Sequence, residues 1–99
     1  MIRVVIERHI RNGCFSDYIE LIRDAKKQAS TNHQGFIAGE LLQEKTEQNH
    51  AVIISSWEDY EAWDKWQGSD DRAAVLAQMR PLLENDEKIT VLESCQLLM

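Results

Sequence analysis

Three tryptophans packed into one short stretch, followed by a glycine break and a second helical run, constrain this chain more than any other feature. Within Ser55–Leu83, SSWEDYEAWDKWQGSDDRAAVLAQMRPLL, the residues Trp57, Tyr60, Trp63 and Trp66 recur at every third position, a spacing that makes successive residues near neighbours on a helix. So broad an aromatic band needs cover, from a protein core, from a second subunit or from a flat apolar ligand. Ser56 is placed to cap a helix over Trp57–Trp66, with Glu58 and Asp59 in its positive first turn. Gly68 ends that helix. Ser69 or Asp70 then caps a second segment, in which Ala73, Leu76, Ala77 and Met79 keep helical spacing until Pro81.

The rest of the chain supplies strands and one more helix. Ile2–Ile10 alternates, with Ile2, Val4, Ile6, Arg8 and Ile10 on one face and Arg3, Val5, Glu7 and His9 on the other, which predicts a strand. After the Asn12-Gly13 turn signal, Phe15, Tyr18, Ile19, Leu21, Ile22, Ala25 and Ala29 repeat as on a helix, with Ser16 as N-cap. Gly35–Glu44 reads as a second strand weakened at Ala38-Gly39, where a bulge is expected. His50–Ser56, with Val52, Ile53 and Ile54 consecutive, reads as a third strand buried on both faces. Lys88–Cys95 reads as a fourth, followed by a short apolar tail, Gln96–Met99.

The resulting order, βαββαβ, is the α+β, ferredoxin-like arrangement: one four-stranded antiparallel sheet with two helices on one face, in a single domain over residues 1–99. A domain of this length buries only about 60–65% of its unfolded surface. Neither sheet face is patterned for water, since the first strand offers Val5 to the second face and the third strand is apolar throughout. Two sheets packed face to face in a symmetric homodimer would bury both. In such a sheet Cys95 lies near Arg3, with Cys14 roughly 25 Å away beyond the far end, so no intrachain disulfide is expected.

Composition excludes several classes of function. With 11 Lys and Arg against 17 Asp and Glu the net charge is −6, and no basic run offers a footprint for nucleic acid or an anionic membrane surface. The opening MIRVVIERHI has charge spaced through it, unlike a signal peptide, and no apolar run is long enough to span a bilayer. A cytoplasmic setting is expected. Two cysteines without CxxC spacing and three scattered histidines give no metal-ligand pattern, so no metal is expected. Asp70 and Asp71 are accounted for as first-turn acids of a helix.

The pattern is similar to that of the antibiotic biosynthesis monooxygenase family of dimeric α+β barrels. The likeness rests on the strand opening at Ile2, on Gly35-Phe36 at the start of the second strand, and above all on Trp57-Glu58 followed by Trp63-x-x-Trp66-x-x-Ser69. The resemblance implies the barrel-forming dimer and admits cofactor-free monooxygenases acting on phenols and quinols, haem-degrading enzymes and many members with no assigned activity. The alternative reading is a non-catalytic small-ligand-binding or interaction module of the same fold, using the cavity or the dimer surface. The haem-degrading members use a strand-one asparagine, a helix-two tryptophan and a haem-ligating histidine. Carried over, these positions fall on Glu7, Trp66 and Leu76, so the tryptophan is kept while the asparagine and the iron ligand are not.

The cofactor-free chemistry implied by the resemblance requires only that the protein hold an electron-rich anion of the substrate in a dry pocket for reaction with dioxygen. No cofactor is expected, and the substrate is a small phenol or quinol-like aromatic. Trp63 and Trp66 are the candidate ring-stacking wall and indole donors, with Trp66 also a candidate catalytic residue. Glu7 and His9, sharing one strand face and placed under the second helix, are the candidate bases. The competing readings are plain ones: helical tryptophans usually pack a core, with Trp57 and Tyr60 the clearest examples, and Glu7 and His9 can simply lie at a solvated sheet edge.

Overall fold

The computed structural model describes residues 1–96 and 98; of the apolar tail Gln96–Met99, Leu97 and Met99 lie outside the described residues. The elements run β1 (Ile2–His9), α1 (Phe15–Asn32), β2 (Phe36–Gln43), β3 (His50–Trp57), α2 (Tyr60–Gln67), α3 (Asp70–Met79), a 3₁₀ turn (Arg80–Leu82) and β4 (Lys88–Glu93). The four strands form one antiparallel sheet in the order β2-β3-β1-β4. This is the ferredoxin-like α+β topology expected from the pattern, with the second helix split at Gly68.

Alternation along β1 sets which side chains meet the helices. Ile2, Val4, Ile6 and Arg8 are buried on the helix side, whereas Arg3 and His9 are exposed and Val5 and Glu7 half-buried on the open side. The registers extend the division to the neighbouring strands. Ile53, Ser55 and Trp57 share the helix side with Leu41, Gly39 and Phe36, while Val52 and Ile54 share the open side with Leu42 and Glu40. A register shift between Phe36 and Ala38 marks the expected bulge in β2. The open face keeps Val5, Val52, Ile54, Ile37, Leu42 and Leu92, the last three exposed.

Several element ends differ from the sequence reading. Trp57 closes β3, opposite Ile2 on one side and Phe36 on the other, so the ladder rather than the helix claims it. The helix begins at Tyr60, capped by Asp59, whose carboxylate accepts the Ala62 N–H at 2.9 Å. Tyr60 thereby turns outward and is 54% exposed, not a packing residue. Ser69 does cap α3, accepting from Arg72 N at 3.1 Å. At α1 the cap position falls on Cys14, without a side-chain hydrogen bond, and not on Ser16. Cys14 and Cys95 are both free thiols, and Cys95 lies past the Ile2–Glu93 pair, a little beyond the expected position near Arg3.

Gly35 is the glycine on which the geometry depends most. Its φ is +89°, a region that β-carbons disfavour, and a Cβ there would stand 2.5 Å from Ala62 Cβ. Its carbonyl accepts the Glu58 N–H at 2.8 Å. The entry to β2 is thus pressed against the first turn of α2, which positions the tryptophans of α2 over the sheet.

Candidate functional site

Two apolar clusters occupy the space between sheet and helices, one around Ile2, Val4, Trp57, Trp63 and Trp66, the other around Ile10, Tyr18, Val75, Met79 and Leu83. Between them lies a cavity of about 280 Å³. A dry apolar cavity of roughly 150 Å³ takes up benzene, so this one suits a planar system of about two fused rings. Its aromatic wall is continuous. Phe36 meets Trp57 edge-on with ring centroids 5.1 Å apart, Trp63 meets Trp57 edge-on at 5.9 Å, and Trp66 stacks on Trp57 at 6.3 Å with 27° between planes. Trp57 donates its indole N–H to Ser55 Oγ at 3.0 Å, which commits that donor and fixes the ring as a wall.

The lining also carries two guanidiniums, those of Arg8 and Arg72. Arg8 projects from β1 into the helix layer with only 4% of its surface exposed, and a guanidinium so buried requires partners. Its Nε and Nη2 donate to Glu87 Oε1 at 3.0 and 2.6 Å, and its Nη1 donates to the Tyr18 hydroxyl at 3.0 Å. Arg72, in the first turn of α3, donates from Nη2 to Glu87 Oε2 at 2.8 Å and lies 5.9 Å from the Trp63 ring centroid. Burial pushes the Glu87 carboxyl up, but the charges and hydrogen bonds of Arg8 and Arg72 outweigh it and hold the group below the ordinary carboxylate range. Burial also raises the Tyr18 phenol, which the charge of Arg8 only partly offsets. Glu87 is therefore an ionised strut between two guanidiniums and not a free base.

The residues singled out from sequence divide between the two faces of the sheet. Trp63 and Trp66 line the cavity together with Trp57. Glu7 and His9 do not sit under the second helix, because they occupy the odd positions of β1, whose side chains point to the open face. That parity separates them from Trp66 by the thickness of the sheet, and the placement that made them bases for this cavity is corrected. On the open face they join another group: His9 stacks on His50 with centroids 4.7 Å apart, and His50 Nδ1 lies 2.8 Å from Glu44 Oε1. Glu7 Oε1 stands 3.4 Å from His50 Nε2, too loosely placed for a formed hydrogen bond.

No histidine or cysteine lines the cavity, and Leu76 contributes an aliphatic wall at the position carried over from the haem ligand. The donor set does not fit haem iron. His33 rests edge-on against Trp66 at 4.9 Å, with Nε2 3.1 Å from Asp71 Oδ2. Among the described residues no group of three or more His, Cys, Asp and Glu is arranged to hold a metal ion, and no helix is long and apolar enough to cross a membrane.

Arg8, Arg72, Glu87 and Tyr18 were the functional candidates missing from the sequence reading. A signal for one of them was present, since Arg8 interrupts the apolar face Ile2-Val4-Ile6-Ile10 and a charge on such a face calls for a buried partner. That the partner is Glu87, far along the chain, is a product of the β1–β4 pairing.

The fold is shared with proteins of known structure. A cofactor-independent oxygenase from Streptomyces nogalater superposes with a TM-score of 0.86 at 18% identity, covering 98% of this chain and 95% of that one. A conserved protein from Methanosarcina mazei Go1 gives 0.86 at 17% identity, covering 95% and 92%. A Mycobacterium tuberculosis protein gives 0.85 at 18% identity, covering 99% and 98%. No curated protein sequence matches the chain. The family model described as antibiotic biosynthesis monooxygenase matches residues 1–78, a span that includes β1, the Gly35 entry to β2 and all three tryptophans. The chain belongs to the antibiotic biosynthesis monooxygenase family.

Proposed function

We propose that this protein is a cofactor-independent monooxygenase that holds a small phenol or quinol-like aromatic in the cavity between sheet and helices. The observation that carries the reading is the cavity itself, about 280 Å³ with Phe36, Trp57, Trp63 and Trp66 as one wall and the guanidiniums of Arg8 and Arg72 in its lining. The family and the Streptomyces nogalater oxygenase support it. The ring lies against the tryptophans, water is excluded by the apolar lining, and the positive potential of Arg8 and Arg72 favours the substrate as its anion. With Glu87 occupied, the proton leaves to solvent. The anion passes one electron to dioxygen, the resulting radicals combine at a ring carbon, and loss of water gives the quinone. A naphthol thus consumes one dioxygen and yields one naphthoquinone and one water, with both extra electrons supplied by the substrate.

Dioxygen uptake with a panel of naphthols and quinols tests this. Trp66→Ala removes one stacked ring and should lower kcat/KM about tenfold or more, with Trp66→Phe recovering most of it, since an aromatic contact is worth about 0.5–1.5 kcal/mol beyond its buried area. Turnover unchanged in Trp66→Ala refutes the site. One observation favours a second reading, a non-catalytic binding module: Glu87 is bound by two arginines that hold its carboxyl below the ordinary range, which makes it a poor proton acceptor at neutral pH. Tight binding of aromatics with no dioxygen consumption across the panel would select it.

The open sheet face, with Val5, Val52, Ile54, Leu42 and Leu92 uncovered, supports a homodimer with sheets face to face as an α+β barrel. Two free thiols support a reducing, cytoplasmic setting; a disulfide found on thiol counting of the native protein would contradict it.

A further inference from the structure

We infer that the ligand of this cavity is an aromatic carboxylate whose acid group docks on Arg72. The inference rests on the cavity being the ligand site and goes beyond it by naming a permanent charge on the ligand. Arg8 is the more engaged of the two, with three of its five N–H donors used: Nε, Nη1 and Nη2 each donate, to Glu87 or Tyr18. Arg72 is not. Its one side-chain hydrogen bond among the described residues runs from Nη2 to Glu87, which leaves four of the five N–H donors of a guanidinium for something else. Its side chain is 11% exposed and lines the cavity beside Trp63; none of its nitrogens is both buried and unpartnered, so the spare donors meet water at the cavity and are open to a ligand that displaces it.

Charge points the same way. Arg8 and Arg72 share the single negative charge of Glu87, so this part of the lining keeps an uncompensated positive charge in a protein whose net charge is −6. The other charged residues at the lining repeat that bias, since Arg23 and Lys26 are cationic and Glu40 belongs by strand register to the open face, although Arg23 is turned to solvent and paired with Glu20. A carboxylate is planar, matches the guanidinium fork, and sits coplanar with an arene pressed on the tryptophan wall, so one flat molecule can meet both Arg72 and the indoles.

The test uses three redox-inert ligands of one ring system, 2-naphthoate, 2-naphthylmethanol and 2-naphthylmethylamine, titrated anaerobically by calorimetry and tryptophan quenching. The wild-type protein should bind the acid about tenfold or more tighter than the alcohol and the amine weakest, with acid affinity alone falling as salt rises. Arg72→Gln should remove the acid's advantage while leaving the alcohol within about twofold, a level set by ring burial alone. Equal affinity for acid and amine in the wild type overturns the inference without any variant, so a misfolded Arg72→Gln protein would not spare it. Carboxylate preference with no dioxygen uptake upholds the subsite and refutes the monooxygenase reading. Turnover of neutral naphthols with no preference for the acid does the reverse.

Discussion

Glu87→Gln should be the most costly single charge change in this protein, because three charge-assisted hydrogen bonds from two elements end on that carboxylate. Glu87 precedes β4, Arg8 lies on β1 and Arg72 opens α3, so the strut fastens the segment entering β4 to the cavity wall. The glutamine keeps the shape but leaves two guanidiniums facing each other without a countercharge, and its amide nitrogen turns a donor toward donors. Removing one partner of a fully buried ion pair costs about 3–5 kcal/mol. Glu87 is 14% exposed, Arg8 5% and Arg72 11%, so modest screening brings this to about 3 kcal/mol. For a domain of this size that is a fall in Tm of about 12–24 °C, against a total stability of about 5–15 kcal/mol. The folded-state pKa of Glu87 is lowered, so its contribution is complete above the unfolded carboxylate value of about 4.3 and is lost as pH falls through the lower folded value. Urea unfolding followed by circular dichroism should show the full gap between wild type and variant at pH 7, shrinking toward pH 3. A gap below about 1 kcal/mol at pH 7, or one independent of pH, refutes the assignment of Glu87 as the strut.

Other perturbations test separate links. Gly35→Ala should cost about 2–4 kcal/mol, combining positive-φ strain with the 2.5 Å approach to Ala62. Gly13→Ala, at a similar φ of +85° but with open space around it, should cost only about 1–2 kcal/mol; equal costs in urea unfolding would refute the clash. If the proposed homodimer forms, Ile54→Lys, on the open face opposite Val5, should convert it to a folded monomer in sedimentation velocity, and a monomeric wild type refutes the interface outright. The Glu44 hydrogen bond, joined by the charges of Glu44 and Glu7, raises the His50 pKa against the opposing pull of burial. This stabilisation is present below the unfolded histidine value and is lost as pH rises through the folded one. Glu44→Gln should move the His50 NMR titration midpoint downward, and an unmoved midpoint refutes the pairing.

The fold was legible because its signals are local. Alternation in Ile2–Ile10, the Asn12-Gly13 turn, the apolar run Val52-Ile53-Ile54 and the Gly68 break each follow from a few adjacent residues, and together they leave few topologies open. The boundary at Trp57 was not legible, since a tryptophan three residues before Tyr60 fits a helical stripe as well as a strand end. Only the ladder with Ile2 and Phe36 decides between them. The candidate site was half legible for a related reason. Trp63 and Trp66 belong to one helix, whereas Arg8, Arg72 and Glu87 come from β1, α3 and the segment before β4 and meet only when β4 closes against β1.

The choice of Glu7 over Arg8 shows what kind of chemistry the cavity favours. A strand reverses its side chains at each residue, so moving from Glu7 to Arg8 exchanges a carboxylate on the open face for a guanidinium among the helices. The first arrangement would supply a base, and a substrate could then enter neutral and be ionised in place. The second supplies positive potential with Glu87 already bound to it, so under the proposed function it would select molecules that are already anions or ionise readily beside a cation. Selection of that kind asks more of the ligand than of the protein, which agrees with a small domain whose cavity wall is otherwise mostly aromatic and aliphatic carbon. It also predicts that any turnover rises with pH as the phenol ionises, following the substrate's pKa rather than that of a side chain. A pH–rate profile that stays the same when phenols of different acidity are compared would return the proton to a protein base.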